Sequence, residues 1–274
     1  MRLRTVVALC AVFVLVVVAP EAGGTAGVLI DHCGQVLTTS GFMGGDLNCS
    51  GSPGVVVGAS GITIDLKGYV LRGDRSVFLG IDDSGDFDGV TIKNGVVRNF
   101  NYGVYTQSGD NISISNLVVS GNQLDGILVG GVGAKVKASN VSSNGLNGVE
   151  VGAAAIVQST VASGNGNLGI GVSGAGAKVQ SSTAIGNEGV GIHGTGAGVK
   201  VLSSTATGNG QDGILVASEG ARVQGNRAEA NGFLSGIDDS GRGIWVLFAT
   251  TPPSGTNTAR GNDDPAECNP SYLC

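Results

Sequence analysis

The chain has 274 residues, among them 50 Gly and only 12 aromatic residues (7 Phe, 4 Tyr and 1 Trp), with 41% hydrophobic residues, 13% charged residues and a formal net charge of −6. The plentiful apolar residues exclude a disordered chain, and Gly without a Gly-X-Y period excludes collagen and disfavours helices, where each interior Gly costs about 1 kcal/mol relative to Ala. The composition therefore predicts an all-β, turn-dense protein, and its acidic charge disfavours general binding to nucleic acid or anionic membranes.

The amino terminus has the pattern of a secretory signal peptide. Arginines at positions 2 and 4 precede an apolar run over residues 6–19, and small residues occupy 22–26. This run is shorter than the roughly 20 residues that a membrane-spanning helix needs. We expect residues 1–26 to be a signal peptide cleaved between 22 and 26, with an uncleaved anchor as the alternative. The mature protein is then expected to be secreted or to reside in a bacterial envelope or periplasm.

Four cysteines remain after signal cleavage, two near each end of the mature chain: Cys33, Cys49, Cys268 and Cys274. An even number in an exported protein indicates disulfides, and pairing Cys33 with Cys49 and Cys268 with Cys274 would close both ends. The connectivity is open from sequence alone, and a zinc site is the competing interpretation.

A repeat dominates the second half of the chain. Copies begin at Val136, Val157, Val179, Val201 and Val223, at spacings of 21, 22, 22 and 22 residues. The ninth residue of every copy is Asn, and Asn122 extends this series backward: Asn144, Asn165, Asn187, Asn209 and Asn231. A repeated Gly follows at 148, 169, 191, 213 and 236, each time before Val or Ile. Similar β-branched segments occur upstream with less regular spacing, for example at 55–57 and 112–114.

Periods near 22 residues fit both leucine-rich repeats and β-solenoids. The inward positions here are Val, Ile, Ala, Ser and Gly in alternation, without a Leu-x-x-Leu-x-Leu spine, so the pattern predicts a parallel β-helix. About ten coils over residues 28–248, stacked about 4.8 Å apart, would form a rod near 50 Å long. We expect the solenoid to occupy 27–250, with 251–274 as a carboxyl-terminal cap or tail after the strand-breaking Pro252-Pro253. The repeated Asn is expected to be structural, bonding its equivalent in the next coil.

The residues also carry a family resemblance. Gly-Ile-Thr-Ile-Asp-Leu-Lys-Gly-Tyr at 61–69, followed by repeated Ser-Gly-Asn-x-x-x-Gly-Ile/Val units, resembles the right-handed parallel β-helix repeat proteins of the pectate-lyase-like superfamily, including its carbohydrate-binding and sugar-hydrolysis repeat domains. The resemblance extends from about residue 28 to 246. It implies the right-handed fold, whereas the activity stays open because that superfamily includes lyases, hydrolases, epimerases and adhesins.

One outward column holds three candidate catalytic residues. The position two residues after the repeated Gly contains Glu150, His193 and Asp238. Two coils, or about 9.6 Å, separate Glu150 from His193, so the pair could bracket a sugar over Gly171, with Glu150 as acid or base. The alternative is a set of solvated polar residues. Gly-Ile-His-Gly at 191–194 is also similar to the Gly-His-Gly element of polygalacturonase-type hydrolases, although the other motifs of that family are missing apart from Asp-Asp pairs.

Those Asp-Asp pairs lie in a duplicated hexapeptide, Gly-Ile-Asp-Asp-Ser-Gly, at 80–85 and 236–241. The second Asp of each pair, Asp83 and Asp239, falls where other copies place an inward Val. We therefore expect the strand to end there in a turn, with a Ca²⁺ contact as the alternative. Ca²⁺ is the one cofactor considered, and no dedicated metal site is predicted.

A third column is basic. Lys178, Lys200 and Arg222 immediately precede the opening Val of three consecutive coils. A polyanionic sugar such as a uronate would fit cations about 4.8 Å apart, and lyases of the resembled superfamily use Lys or Arg with Ca²⁺. The competing interpretation is a solubilising edge that blocks unwanted strand pairing.

The function expected first is an exported, monomeric, non-catalytic solenoid that binds glycans or a surface partner or has a structural role. The alternative is a polysaccharide lyase or glycoside hydrolase acting on a uronate-containing polymer, and a metal-stabilised surface protein is third. The expected partner is a polysaccharide, with no nucleic acid and no membrane insertion after signal cleavage. Scarce aromatic residues disfavour the enzyme because they leave few rings to contact a sugar.

Overall fold

The computed structural model describes residues 27–75, 79–233, 241–248, 257–265 and 267–274, and in them the chain winds as a parallel β-helix. The predicted signal peptide and the second Asp-Asp pair lie outside the described residues. Each coil contributes up to three short strands, and each strand pairs in parallel with its equivalents in adjacent coils. The strands thus form three columns along the rod, and the all-β prediction is confirmed. A single 3-10 turn, Ser271–Leu273, is the helical element among these residues.

The first column follows the opening Val of each repeat. It contains β1 (Val28–Ile30), β3 (Gly41–Met43), β6 (Thr63–Asp65), the first halves of β9 (Thr91–Arg98) and β11 (Ser113–Ser120), β13 (Lys135–Lys137), β16 (Ile156–Gln158), β19 (Lys178–Gln180), β22 (Lys200–Leu202) and β25 (Arg222–Gln224).

The second column precedes the repeated Asn. It contains β4 (Leu47–Asn48), β7 (Val70–Arg72), the second halves of β9 and β11, β14 (Asn140–Ser142), β17 (Val161–Ser163), β20 (Thr183–Ile185), β23 (Thr205–Thr207), β26 (Arg227–Glu229) and β28 (Thr258–Arg260). Because β9 and β11 run through both columns, the first and second columns form one eighteen-stranded sheet.

The third column forms a separate eleven-stranded sheet. It contains β2 (Gln35–Leu37), β5 (Val55–Val57), β8 (Leu79–Asp83), β10 (Tyr102–Thr106), β12 (Ile127–Val129), β15 (Val149–Val151), β18 (Ile170–Ser173), β21 (Ile192–Thr195), β24 (Ile214–Ala217), β27 (Ile244–Leu247) and β29 (Cys268–Asn269). The outward face of this sheet carries the candidate site described below.

Like residues stack in the core. The opening valines pair in register from Val136 to Val223, and each is at most 1% exposed. Between the first two columns the chain bends at residues with positive φ, such as Ser159, Ser181 and Ser203 at 48–51°. A small residue tolerates this left-handed backbone at a bend that recurs in every coil.

The predicted Asn series is a buried hydrogen-bonded ladder. In each coil the Asn amide donates to Oδ1 of the Asn in the next coil, for example from Asn165 to Asn187 at 2.8 Å and from Asn187 to Asn209 at 2.9 Å. The ladder begins at Asn122 and continues past Asn231 to Asn262. Its residues satisfy the polar backbone where the chain turns inside the rod, as buried polar groups require.

The repeated Gly owes its position to close packing. A Cβ placed on Gly169 would lie 2.6 Å from both Asn187 Nδ2 and the Gly191 carbonyl oxygen. A side chain at this position would therefore overlap the Asn ladder of the next coil. The same contact with the next Asn of the ladder recurs at Gly148, Gly191 and Gly213.

Both ends of the rod carry a disulfide. Cys33 is bonded to Cys49 in the first coils, and Cys268 is bonded to Cys274 at the other end. Strands β28 and β29 continue the second and third columns beyond residue 250, so part of the segment expected as a cap or tail belongs to the last coil. Over the described part of the chain, no helix has the length and apolar character to cross a membrane.

Candidate functional site

The outward face of the eleven-stranded sheet presents a central column of side chains, one from each coil. Strand register places in this column Asp82, Tyr105, Leu128, Glu150, Gly171, His193, Leu215 and Trp245. These side chains are partly buried, while Gly171 is buried. The rows on either side of each central residue point into the core, as the two-residue period of a strand requires.

Glu150 and His193 share the central column with Gly171 between them. Two coil steps put their backbones about 9.6 Å apart. A Cβ on Gly171 would contact Leu168 at 3.2 Å and Glu150 Cγ at 3.8 Å. The glycine therefore leaves a shallow notch between the two polar side chains.

Asp238 was predicted to follow in this column. The position next to Leu215 holds Trp245, because β27 pairs with β24 through Ile244 and Ile214. These residues are 30 positions apart instead of the 22 of the preceding coils, so the coil before the last contains an insertion, and Gly243 takes the repeated Gly position that Gly236 was expected to take. Asp238 itself lies outside the described residues.

A second row, the flanking column, lies beside the central column, and most of its side chains are buried. It consists of the residue immediately before each repeated Gly: Tyr102, Asp125, Asn147, Leu168, Val190, Asp212 and Arg242. This row was not predicted as part of the site, although it occupies one fixed position of the repeat, as the central column does.

Three polar residues from two coils form a hydrogen-bonded group. The Asn147 backbone N–H donates to Asp125 Oδ1 at 2.8 Å, and its side-chain amide donates to Glu150 Oε2 at 2.6 Å. Asp125 is only 5% exposed. Burial raises the pKa of Asp125 to about 6, the charge of Glu150 acts in the same direction, and the Asn147 N–H acts against them. The face thus holds two carboxylates in different environments.

His193 completes the polar part of this face. Burial lowers the pKa of His193, while the negative charge of Glu150 acts in the opposite direction. The imidazole is therefore neutral at neutral pH and can donate one hydrogen bond and accept another.

Aromatic side chains lie on both sides of the polar group. Tyr102 and Tyr105 pack edge to face with ring centroids 5.2 Å apart. Burial raises the pKa of the Tyr102 phenol, and the charge of Asp125 adds to this effect. In the coil before the last, the Arg242 guanidinium lies 4.2 Å from the Trp245 ring centroid and forms an ion pair with Asp264. Three of the five Tyr and Trp residues of the chain are therefore on this one face, which the composition alone did not indicate.

The first Asp-Asp pair is only in part the turn that was expected. Strand β8 does end at Asp83, but that side chain points inward and is 1% exposed. Its oxygens accept bonds from the Phe87 N–H at 3.1 Å and the Thr106 hydroxyl at 3.2 Å. Burial raises the pKa of Asp83 to about 6. The position is internal because it pairs with Thr106, which in turn pairs with the inward Val129.

The basic residues predicted to stack do so on the first column. Lys178 pairs with Lys200 and Lys200 with Arg222, while Lys135 lies two coils above Lys178 across Ile156. The interpretation of this stripe as a strand-blocking edge is wrong, since β19 and β22 pair with a strand on each side. Within the described ranges no group of three or more His, Cys, Asp or Glu residues could hold a metal ion.

Comparison with known proteins gives a family and a shared fold. The profile described as right handed beta helix region matches residues 125–264. The A-module of the Azotobacter vinelandii mannuronan C-5 epimerase AlgE4 aligns with a TM-score of 0.55 and 16% identity, covering 85% of this chain and 86% of that chain. The Dettilon tailspike protein aligns with a TM-score of 0.57 and 12% identity, covering 84% and 57%.

A third structure, the Agl-KA catalytic domain, aligns with a TM-score of 0.54 and 13% identity, covering 84% of this chain and 61% of that chain. At such identities these similarities establish the fold alone. Comparison with curated protein sequences gives no match. The predicted right-handed parallel β-helix is confirmed.

Proposed function

The chain belongs to the right-handed β-helix family, and from this premise we propose that it is an exported glycan-binding solenoid. The bound glycan is a neutral, extended polysaccharide that lies along the outward face of the eleven-stranded sheet. The observation that carries the proposal is the collection of Tyr102, Tyr105 and Trp245 on that face, with hydrogen-bonding groups between them. A mannuronan epimerase among the structural neighbours fits a polysaccharide ligand.

The aromatic residues are spaced for an extended ligand. Tyr105 and Trp245 occupy the same column six coil steps apart, which corresponds to about 29 Å at about 4.8 Å per step. Both rings are attached to a rigid parallel sheet. The protein therefore loses little conformational entropy when a polysaccharide chain binds. Aromatic rings provide an apolar surface with a polar tip, which suits the mixed character of a sugar.

The polar residues between the rings match sugar hydroxyls. The partly buried Glu150 accepts hydrogen bonds, and neutral His193 both donates and accepts. Asn147 holds the Glu150 carboxylate in place through its 2.6 Å bond. Such pre-positioned groups would fix the register of a sugar chain over the notch at Gly171.

Charge favours a neutral polymer over a uronate on this face. On the outward face, the strands of the eleven-stranded sheet carry Asp82 and Glu150, and these strands contain no Lys or Arg. Arg242, in the flanking column, is already paired with Asp264. A carboxylated sugar would therefore meet like charges here without a free cation to offset them.

Export is the second part of the proposal. The two disulfides fit an extracellular protein because such bonds persist in oxidising compartments. The predicted signal peptide at 1–26 supports the same location.

Glycoside hydrolysis is the second candidate, and one observation favours it. Asp125, whose pKa is raised to about 6, lies near Glu150 in the next coil. A protonated carboxyl beside an ionised one is the arrangement that glycosidases use for general acid and base. Asp125 would then donate the proton and Glu150 would act as the base.

The test measures affinity for a panel of neutral polysaccharides by affinity electrophoresis, with Trp245→Leu and Tyr105→Leu as variants. Leu already occupies this column at Leu128 and Leu215, so both variants should fold. Each is expected to weaken binding by roughly 2- to 10-fold, the equivalent of about 0.5–1.5 kcal/mol for a lost aromatic contact. The matched control is Tyr69→Leu, which removes a partly exposed ring elsewhere. Equal affinities for all three variants would refute the proposed face.

Product analysis on the same polysaccharides separates binding from hydrolysis. The proposal expects binding with no new reducing ends. If reducing ends accumulate, and Asp125→Asn abolishes their formation while binding persists, the protein is a hydrolase and the proposal of binding without catalysis is refuted. Asn occupies the equivalent position at Asn147 and accepts the next coil's Leu168 N–H there, so this substitution preserves the local hydrogen bond.

A further inference from the structure

The two sheets of the rod differ sharply in charge. Strands of the eighteen-stranded sheet carry ten Lys or Arg residues but only two acidic residues, Asp65 and Glu229. Strands of the eleven-stranded sheet carry no Lys or Arg and three acidic residues. This segregation runs against the composition, since the whole chain has 21 acidic and 15 basic residues.

Four of these cations form a line, the basic stripe: Lys135, Lys178, Lys200 and Arg222. Strand register places them at one position of the first column, with Ile156 as the single interruption. Four coil steps separate the ends of the stripe, or about 19 Å along the rod axis. All four side chains are exposed or partly exposed.

The acidic residues of the same sheet do not neutralise the basic stripe. The two acidic residues of the sheet are engaged elsewhere: Asp65 lies near Lys67 and Lys93, and Glu229 forms ion pairs with Arg227 and Arg260. Beside the stripe, the next outward row of the same strands holds Lys137, Gln158, Gln180, Leu202 and Gln224. Among the described residues, none of the four stripe cations forms an ion pair.

Stacking like charges in register is unfavourable, so the stripe costs stability unless an anion binds it. Edge protection does not explain it, because the strands of Lys178 and Lys200 lie in the interior of the sheet. Arg222 is also held in place, since its Nε donates to Gln224 Oε1 at 2.9 Å. A groove of about 310 Å³ runs beside it, lined by Gln180, Leu202, Ser203, Arg222, Gln224 and Gly225.

We propose that the basic stripe binds a linear phosphate-containing polymer laid along the rod axis. A line of cations one residue wide fits an extended chain better than a flat membrane, which a broad patch would serve. Three of the four cations are Lys, which binds phosphate as a point charge and needs no fixed fork geometry. This site is on a different sheet from the proposed glycan face and does not depend on it.

The test titrates end-labelled inorganic polyphosphate with the purified protein over a series of salt concentrations, following fluorescence anisotropy. Neutralising four phosphates predicts a slope of log affinity against log salt of about −2.8, or roughly 50-fold weaker binding between about 50 and about 200 mM salt. Replacing Lys178 and Lys200 by Gln should reduce the slope to about −1.4. The matched control replaces Arg72 and Arg98 by Gln, because these cations also pair in register but lie on the second column.

The proposal requires the stripe variant to bind polyphosphate more weakly and with a smaller salt dependence, while the control variant keeps both the affinity and the salt dependence of the unmodified protein. Equal losses in the two variants would mean diffuse attraction and would overturn it, as would the absence of polyphosphate binding at low salt. Tighter binding to anionic phospholipid vesicles, or equal binding to a polyuronate of the same charge, would overturn the assignment of the ligand. Circular dichroism and thermal unfolding check that both variants fold. Unchanged binding of neutral polysaccharide by the stripe variant keeps this result separate from the glycan proposal.

Discussion

Removing one Asn from the middle of the ladder should destabilise the whole rod. Asn187 is fully buried, and its side-chain amide donates to Asn209 Oδ1 at 2.9 Å and to the Ala162 carbonyl at 3.2 Å. Its Oδ1 accepts the Asn165 backbone N–H at 3.0 Å and the Asn165 side-chain amide at 2.8 Å. Asn187→Ala deletes four hydrogen bonds and adds no clash.

The loss of stability depends on which groups are left without a hydrogen-bond partner. The Asn165 N–H loses its acceptor inside the rod, where no water replaces it, and a buried unsatisfied donor costs about 1–3 kcal/mol. The remaining three bonds contribute about 0.5–1.5 kcal/mol each. We therefore expect Asn187→Ala to lower the free energy of unfolding by about 5 kcal/mol.

Urea denaturation followed by circular dichroism measures this loss, and native-state hydrogen exchange locates it. Because solenoid coils contact only their neighbours, exchange should accelerate first in the coils of Asn165, Asn187 and Asn209. The control is Asn140→Ala, which removes an exposed strand Asn and should change stability by less than about 0.5 kcal/mol.

The variant Asn187→Asp tests whether Asn187 stabilises the rod through its hydrogen bonds or only through its volume. Asp keeps an acceptor for Asn165 but cannot donate, so a second oxygen would face Asn209 Oδ1 and the Ala162 carbonyl. We expect Asp to be at least as destabilising as Ala despite its similar volume. If Asn187→Asp is well tolerated at neutral pH, or if Asn187→Ala costs no more than Asn140→Ala, the ladder argument is refuted.

Two further predictions concern the core. Burial raises the pKa of Asp83 from 3.8 to about 6, so its stability contribution is complete below pH 3.8 and is lost as the pH rises through about 6. Asp83→Asn should therefore stabilise the protein by up to about 3 kcal/mol above that range and have little effect below pH 3.8, which thermal unfolding at several pH values would measure; a pH-independent difference would contradict it. Gly169→Ala should cost about 1–3 kcal/mol in urea denaturation because its Cβ would lie 2.6 Å from Asn187 Nδ2. Gly45→Ala, with nothing within 4 Å, is its control, and equal stabilities would refute the packing explanation.

The solenoid could be predicted because each coil makes the same contacts with its neighbours and therefore needs the same residue types at the same positions. The Asn at position nine and the Gly before Val or Ile occur at fixed spacing, and the structure places both at the same contact in successive coils. The predicted register is wrong where the spacing between repeats changes. Between Ile214 and Ile244 the coil is longer, so the repeat spacing no longer predicts which residue follows Leu215 in the central column, and the structure places Trp245 there.

The site was less predictable because it depends on neighbouring columns rather than on one repeat position. Glu150 and His193 were identified in the central column, but the environment of Glu150 comes from Asp125 and Asn147 in the flanking column. The inward direction of the Asp83 side chain was also difficult to predict from the sequence. Its inward direction follows from pairing with Thr106, a polar residue that makes a carboxylate tolerable inside the rod, and this pair is 23 residues apart.

Net charge was the least informative property for predicting partners. A value of −6 disfavours anionic ligands only if charge is spread evenly. Each column of a β-helix keeps one side-chain direction over many coils, so opposite charges can be sorted onto different sheets. With a screening length of about 8 Å at physiological salt, exposed charges further apart than this scarcely influence one another. The acidic face and the basic stripe can therefore select different polymers, and a rod that binds both would hold them together along its length.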